Sequence, residues 1–168
     1  MSRHPANDPV PHLASVAKAV AEGSGPPDVF AALDRALAAT VGHKLFTALL
    51  FHGNTGESER FYTNQPKAYP VGGRKPLNPT FWAKQVLQER RPYLGRTAAD
   101  IKAVFFDHEL IDSLGCRSVL NIPVVEASKI LGTLNVLHEE RWYDEGDLPL
   151  AAIFAALAVP AYRRLLSR

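Results

Sequence analysis

Asn121 and Asn135 are the polar side chains that most need an explanation, because each sits inside an aliphatic run. In Ser118 to Val125, strand alternation puts Leu120, Ile122 and Val124 on one face and Val119, Asn121 and Pro123 on the other. In Lys129 to Glu139, Leu134 and Val136 oppose Asn135 in the same way. If the two runs pair as a hairpin with their aliphatic sets under helices, the asparagines share the remaining face, opposite or diagonal to each other. Unpaired burial costs each about 1 to 3 kcal/mol. They must therefore bond to each other or to the backbone of a cover, or present donors and acceptors to a small polar ligand with an apolar part. His108 shares a helical stripe with Val104, Phe105 and Ile111, which points it toward the sheet as a core histidine or a pocket donor. His12, His43, His52 and His138 show neither ligand spacing nor clustered carboxylates, so no metal site is expected.

Cys116 is the only cysteine, which excludes an internal disulfide or a multi-cysteine cluster site and fits a reducing compartment, the cytoplasm by default. Its simplest role is a small buried hydrophobe at the start of a strand. Phe61, Tyr62, Tyr69, Phe81, Trp82 and Tyr93 concentrate rings in one hairpin and the loop after it. Whether lids of a core or apolar walls of a pocket, they are expected to be buried. Gly72-Gly73-Arg74-Lys75 matches an anion cradle only weakly and reads better as a solvated loop tip.

The elements that must position these groups follow from periodicity. Leu13, Val16, Ala17 and Val20 mark a first helix, and Gly23 to Pro27 a linker. Phe30, Leu33, Leu37 and Val41 mark a second helix, started near Pro27-Asp28 and stopped by Gly42. Lys44 to His52 and Glu59 to Thr63 form a hairpin around Gly53 to Gly56. The following stretch, with Pro66, Pro70, Gly72, Gly73, Pro76 and Pro79, is too dense in breakers for a regular element. A helix over about Asn78 to Arg90, a short extended piece at Pro92 to Gly95, and a helical stripe from Thr97 to Gly115 that Asp107 divides complete the cover. The Ser118 and Lys129 strands pair, and a last helix begins at Asp144 to Asp147.

This order predicts an α+β fold, a central antiparallel sheet with N- and C-terminal helices on one face and a helix and loop cover on the other. Residues 1–25 are read as a helix and linker, and 26–168 as the domain. Leu114 to Val124, Ile130 to Val136 with its Gly132, and Tyr143-Asp144-Glu145-Gly146-Asp147-Leu148 resemble, in type and spacing, the last third of a GAF domain, a PAS-like or profilin-like fold. The resemblance implies a sensor or regulatory domain that binds a small molecule, and it leaves the ligand and any cofactor unnamed, because relatives bind cyclic nucleotides, tetrapyrroles, amino acids or oxoacids. The cyclic-nucleotide signature Asn-Lys-x-x-Phe is missing: Leu137 to Tyr143 reads Leu-His-Glu-Glu-Arg-Trp-Tyr. Bilin-binding relatives follow their cysteine with His, and Cys116 precedes Arg117. The free methionine sulfoxide reductase branch implies an enzyme alternative using Cys116, which would need an external thiol to resolve its sulfenic acid. A ligand-free dimerisation module is the third reading. The ligand site expected on the sensor reading comprises Asn121, Asn135, His108, Phe105, Ile111, Tyr62, Phe81, Trp82 and Cys116.

Net charge is +2 in 168 residues, and Arg90-Arg91 and Arg163-Arg164-Arg168 fall at helix C-termini where cations offset the dipole, so direct nucleic-acid binding is not expected. Met1 to Pro9 lacks the apolar core of a secretory signal. The uncharged run Leu148 to Tyr162 has 15 residues against the roughly 20 that span a bilayer, so it reads as a buried helix and no membrane association is expected. On that helix Leu150, Ile153, Phe154, Leu157 and Ala161 fall on one face, and Leu148, Ala152, Ala155, Val159, Tyr162 and Leu166 on nearly the opposite one. One face covers the sheet; the other takes the N-terminal helix or the same helix of a second subunit, which makes a homodimer the expected partner state.

Overall fold

The computed structural model describes residues 8–23 and 25–168. The reading of the opening segment as no signal peptide therefore lies mostly outside the described residues. Helices α1 (Val10–Ala21) and α2 (Pro26–Ala39) come first. Prolines at the first positions of both helices have φ already set for a helix and sacrifice an N–H that has no partner there. After α2, Gly42 takes φ +81°, and its N–H bonds the Leu37 carbonyl at 2.8 Å. A Cβ here would lie 3.0 Å from the Trp142 ring nitrogen, so the turn needs glycine for both backbone and space.

Strands β1 (Leu45–His52), β2 (Glu57–Thr63), β3 (Arg74–Pro76), β4 (Tyr93–Gly95), β5 (Ser118–Glu126) and β6 (Lys129–His138) form one antiparallel sheet in the order β3-β2-β1-β6-β5-β4. β3 corrects the expectation of a wholly irregular loop. Its three residues pair with Glu57 to Glu59 at the sheet edge, where a proline costs little because its missing N–H can face outward.

Between β3 and β5 lie α3 (Phe81–Ala83), which runs into a widened π-turn over Lys84–Gln88, and the short helices α4 (Ala98–Lys102) and α5 (His108–Ser113). Thr97 and Asp100 build a reciprocal capping box on α4, and Asp107 stands at the start of α5. The predicted stripe is thus two helices. A 3-10 turn at Glu145–Asp147, closed by the Asp144–Asp147 box, leads into α6 (Leu148–Leu166).

One face of the sheet carries the main core: Phe46, Ala48, Leu50, Leu120, Ile122, Val124, Leu134 and Val136 against Phe30, Leu33 and Leu37 of α2 and Phe154, Ala158 and Tyr162 of α6. The helix α6 is long and apolar enough to cross a membrane by length and composition alone, but its apolar face packs on the sheet, and α1 lies against both α2 and α6. Its buried residues are Ala151, Phe154, Ala155, Ala158, Ala161, Tyr162 and Leu165, while Ala152, Ile153 and Ala156 stay exposed. This corrects the two predicted faces: Ile153 points outward, and Ala155 and Tyr162 point inward. The reason is that α6 is wedged between sheet and α1, so its buried arc is centred between the two stripes.

Candidate functional site

The cover side of the sheet presents Leu45, Thr47 and Leu49 from β1, Asn121 from β5, and Asn135 and Leu137 from β6. Asn121 and Asn135 pair directly across the ladder. The Asn121 amide donates to Asn135 Oδ1 at 2.7 Å, and the Asn135 amide donates to Thr47 Oγ1 at 3.2 Å. From above, the Trp82 indole N–H donates to Asn121 Oδ1 at 3.0 Å. A polar line Trp82–Asn121–Asn135–Thr47 therefore crosses three strands, with both asparagines buried. These bonds use part of each carboxamide's capacity and leave one Asn121 N–H and the second oxygen lone pairs for other partners.

Trp82 is held in place by local structure. The Thr80 hydroxyl accepts the Ala83 N–H and starts the helix, and the π-turn after it widens the coil so that Ala83 and Val86 are also buried. The ring centroid of Phe105 lies 6.0 Å from that of Trp82, in an edge-on arrangement. Beneath this cover is a cavity of about 270 Å³ lined by Leu45, Trp82, Val104, Phe105 and Ile111, by the floor just described, and by Ser58, Arg60, Tyr69, Lys75 and Asp107. Its walls are mainly apolar, with a few convergent polar groups, and its size is near the low end of the ~300 to 1,000 Å³ common for small-molecule pockets. The Tyr69 hydroxyl donates to Asp107 Oδ2 at 2.6 Å, and burial first, then that bond, pushes its pKa far up.

Of the predicted site residues, the fold brings Asn121, Asn135, Trp82, Phe105 and Ile111 together around this cavity. Four others it places elsewhere. Tyr62 lies on the opposite face of the sheet, because the β1–β2 register slips between Ala48 and Leu49 and leaves Phe61 as the extra residue of a bulge. Phe61 and Tyr62 consequently both pack on Phe30, and the Tyr62 hydroxyl donates to Asp34 Oδ2 at 2.6 Å. Burial alone would raise the Asp34 pKa, but hydrogen bonding with His43 and from Tyr62, with electrostatic interaction with His43 and Arg35, outweighs it and holds the carboxylate below its usual range. Phe81 corrects the expectation of burial: it is 55 % exposed, because the first position of α3 faces out while Trp82 faces in.

His108 and Cys116 line a separate recess of about 300 Å³ beside α4, with Lys102, Glu109 and Asp112. The break at Asp107 removes His108 from the stripe that its sequence spacing suggested. The Cys116 thiol is buried, and desolvation pushes its pKa up to about 11 although Lys44 pulls the other way. At neutral pH it is a thiol and a poor nucleophile.

Sequence reasoning missed Arg60, Thr47 and Asp107. Arg60 sits in a charged strand segment that reads as solvated, and only the bulge at Phe61 fixes which face it takes. Gly72, Gly73 and Lys75, expected as a loop tip, form part of the cavity rim. Among the described residues, no group of three His, Cys, Asp or Glu side chains converges as a metal ion would require.

The same arrangement of sheet, terminal helices and cover recurs in solved structures. The GAF domain of a phosphoenolpyruvate-protein phosphotransferase from Coxiella burnetii superposes with a TM-score of 0.75 at 17% identity, covering 95% of this chain and 96% of that one. The phycocyanobilin-bound GAF domain of a cyanobacterial phytochrome gives 0.70 at 18%, covering 98% and 99%. Free methionine-R-sulfoxide reductase from Neisseria meningitidis, in complex with its substrate, gives 0.70 at 15%, covering 95% and 93%. Likenesses at such identities establish the fold alone. A search of the curated proteins finds no match. The profile of the GAF domain matches residues 30–161, from the middle of α2 to the last turns of α6. With the Asn-bearing strand pair, Gly132 and the Asp144–Asp147 cap in their places, the chain belongs to the GAF domain family, whose members are small-molecule-binding sensory and regulatory domains.

Proposed function

We propose that this GAF domain is a cytoplasmic sensor whose ligand sits in the cavity between the sheet and the α3–α5 cover. The observation that carries the reading is the polar line Trp82–Asn121–Asn135–Thr47 on the floor of an otherwise mainly apolar, open cavity. A ligand-free module has no use for such a space and would gain by filling it with apolar side chains. The buried, un-ionised Cys116 and its separation from the asparagine floor weigh against thiol catalysis.

Binding is passed on, in this reading, through a second copy of the chain docked along α6, whose strip Ala152, Ile153 and Ala156 is exposed and uncharged. The ligand test is native mass spectrometry of protein purified from its own source, together with the Val104→Trp variant, whose indole is placed to fill the cavity. A small molecule is expected to travel with the wild type and to be lost, by at least about tenfold in occupancy, from a folded Val104→Trp protein. A wild type that is empty and unaffected by the substitution would overturn the proposal.

A further inference from the structure

Resting on the cavity as the ligand site, we infer that its ligand is an anion of the carboxylate type with an apolar body, and that Arg60 is its anchor. Arg60 reaches the cavity because the bulge at Phe61 pairs it with Leu49 on the cover face. Its guanidinium lies 4.7 Å above the Tyr69 ring centroid, and Nη1 donates to the Pro70 carbonyl at 3.2 Å. That is its only hydrogen bond among the described residues. Nε is buried with no acceptor; the Asp107 carboxylate acts on the guanidinium through space, without a direct ion pair among the described residues.

The structural role of Arg60, a stack and one carbonyl bond, thus accounts for one of five N–H donors. The Nε–Nη2 edge that remains is the edge a carboxylate engages with two parallel bonds; because Nε is enclosed, the guanidinium must turn on its stem to present that edge to the cavity. Lys75, at the rim, adds a second cation, 5.8 Å from the Phe106 ring centroid and with no ion pair of its own among the described residues.

Asp107 is the one carboxylate in the lining, and Tyr69 already holds it. Its charge at the same end of the cavity opposes a phosphate dianion more than a single carboxylate. Leu45, Trp82, Phe105 and Ile111 supply apolar walls suited to the rest of the molecule, while the spare capacity of the asparagines serves one further polar group.

The test uses three probes of one shape on the whole chain at neutral pH: phenylacetate, 2-phenylethanol and 2-phenylethylamine. Affinities come from calorimetry, and the site from movement of the Asn121 and Asn135 side-chain amide signals in NMR. Phenylacetate is expected to bind about tenfold or more tightly than either of the others, the weight of a charge-assisted pair. Arg60→Gln should abolish that preference, so that the affinities for phenylacetate and 2-phenylethanol converge, and Arg60→Lys should retain part of it. If the alcohol or the amine moves the same signals as tightly as phenylacetate, the anion assignment falls and the cavity reading stands. If no probe moves them up to its solubility, both fall. The comparison among probes on the wild type decides the matter even where an Arg60 variant does not fold.

Discussion

Asn121 and Asn135 bond to each other, to Trp82 and to Thr47, so each is both a structural tie and a polar group at the cavity floor. Cys116 shows the opposite case, a reactive residue type enclosed by its surroundings. The residue is 1 % exposed, and its thiol donates to the Leu114 carbonyl at 3.9 Å. Since the thiolate is the reacting form and burial disfavours it, a disulfide reagent should react with native Cys116 on the order of a hundredfold more slowly than with the urea-unfolded chain. Cys116→Ala should keep the cooperative fold, with a loss of roughly 1 to 2 kcal/mol. Native-state reaction as fast as that of the unfolded chain, or methionine sulfoxide reduction that disappears in the variant, would favour the enzyme reading over the sensor one.

Among the elements, β6 carries the most tightly enclosed of the glycines, Gly132. A Cβ on Gly132 would fall 2.0 Å from the Leu49 carbonyl oxygen and 2.5 Å from the Tyr162 ring, whose hydroxyl donates to the neighbouring Thr133 carbonyl at 2.7 Å. The glycine of the aliphatic-Gly motif therefore serves close approach of strand β1 and helix α6 rather than turn geometry. Gly132→Ala is expected to cost at least about 3 kcal/mol, because the obstacle is backbone and cannot rotate away. Gly53→Ala, where the nearest heavy atom would lie at an ordinary 3.8 Å, should stay within about 0.5 kcal/mol. Comparable thermal midpoints for the two variants would show that β1 and β6 can separate more than this packing allows. The bulge in β2 is a second device at this scale, since it sends Phe61 and Tyr62 to the helix side and Arg60 to the cavity.

At the scale of the molecule, one strand joins cavity and helices: β2 carries Ser58 and Arg60 in the cavity lining, and between them Glu59, which holds Arg168 beyond the end of α6 at 2.9 Å and His52 at 3.0 Å. Burial alone would raise the Glu59 pKa, but the bonds from His52 and Arg168 outweigh it and hold it low. The exposed strip of α6 gives the assembly prediction. If a second copy docks there, Ile153→Glu places a charge in an apolar contact and should weaken dimerisation by about a hundredfold, read by sedimentation across concentration. A wild type that sediments as a monomer at high concentration would show that α1 alone completes the packing of α6.

Periodicity and turn chemistry determined the element order, the antiparallel hairpins, the split of the cover helix at Asp107, and the shared face of Asn121 and Asn135, because each depends on residues close in sequence or on the strand period of two; that the two asparagines stand opposite rather than diagonal was decided by the pairing of β5 with β6. The family was legible for the same reason, in three segments whose spacing a fold must keep. Which face Tyr62 and Arg60 take was decided only in three dimensions: one bulge residue inverts the alternation, and no residue type in β2 announces it. The edge strand β3 exists because β2 offers it unpaired backbone groups, not because Arg74 to Pro76 favours a strand. The separation of His108 and Cys116 from the asparagine floor likewise comes from how α4 and α5 settle on the sheet, a matter of packing that local sequence does not encode.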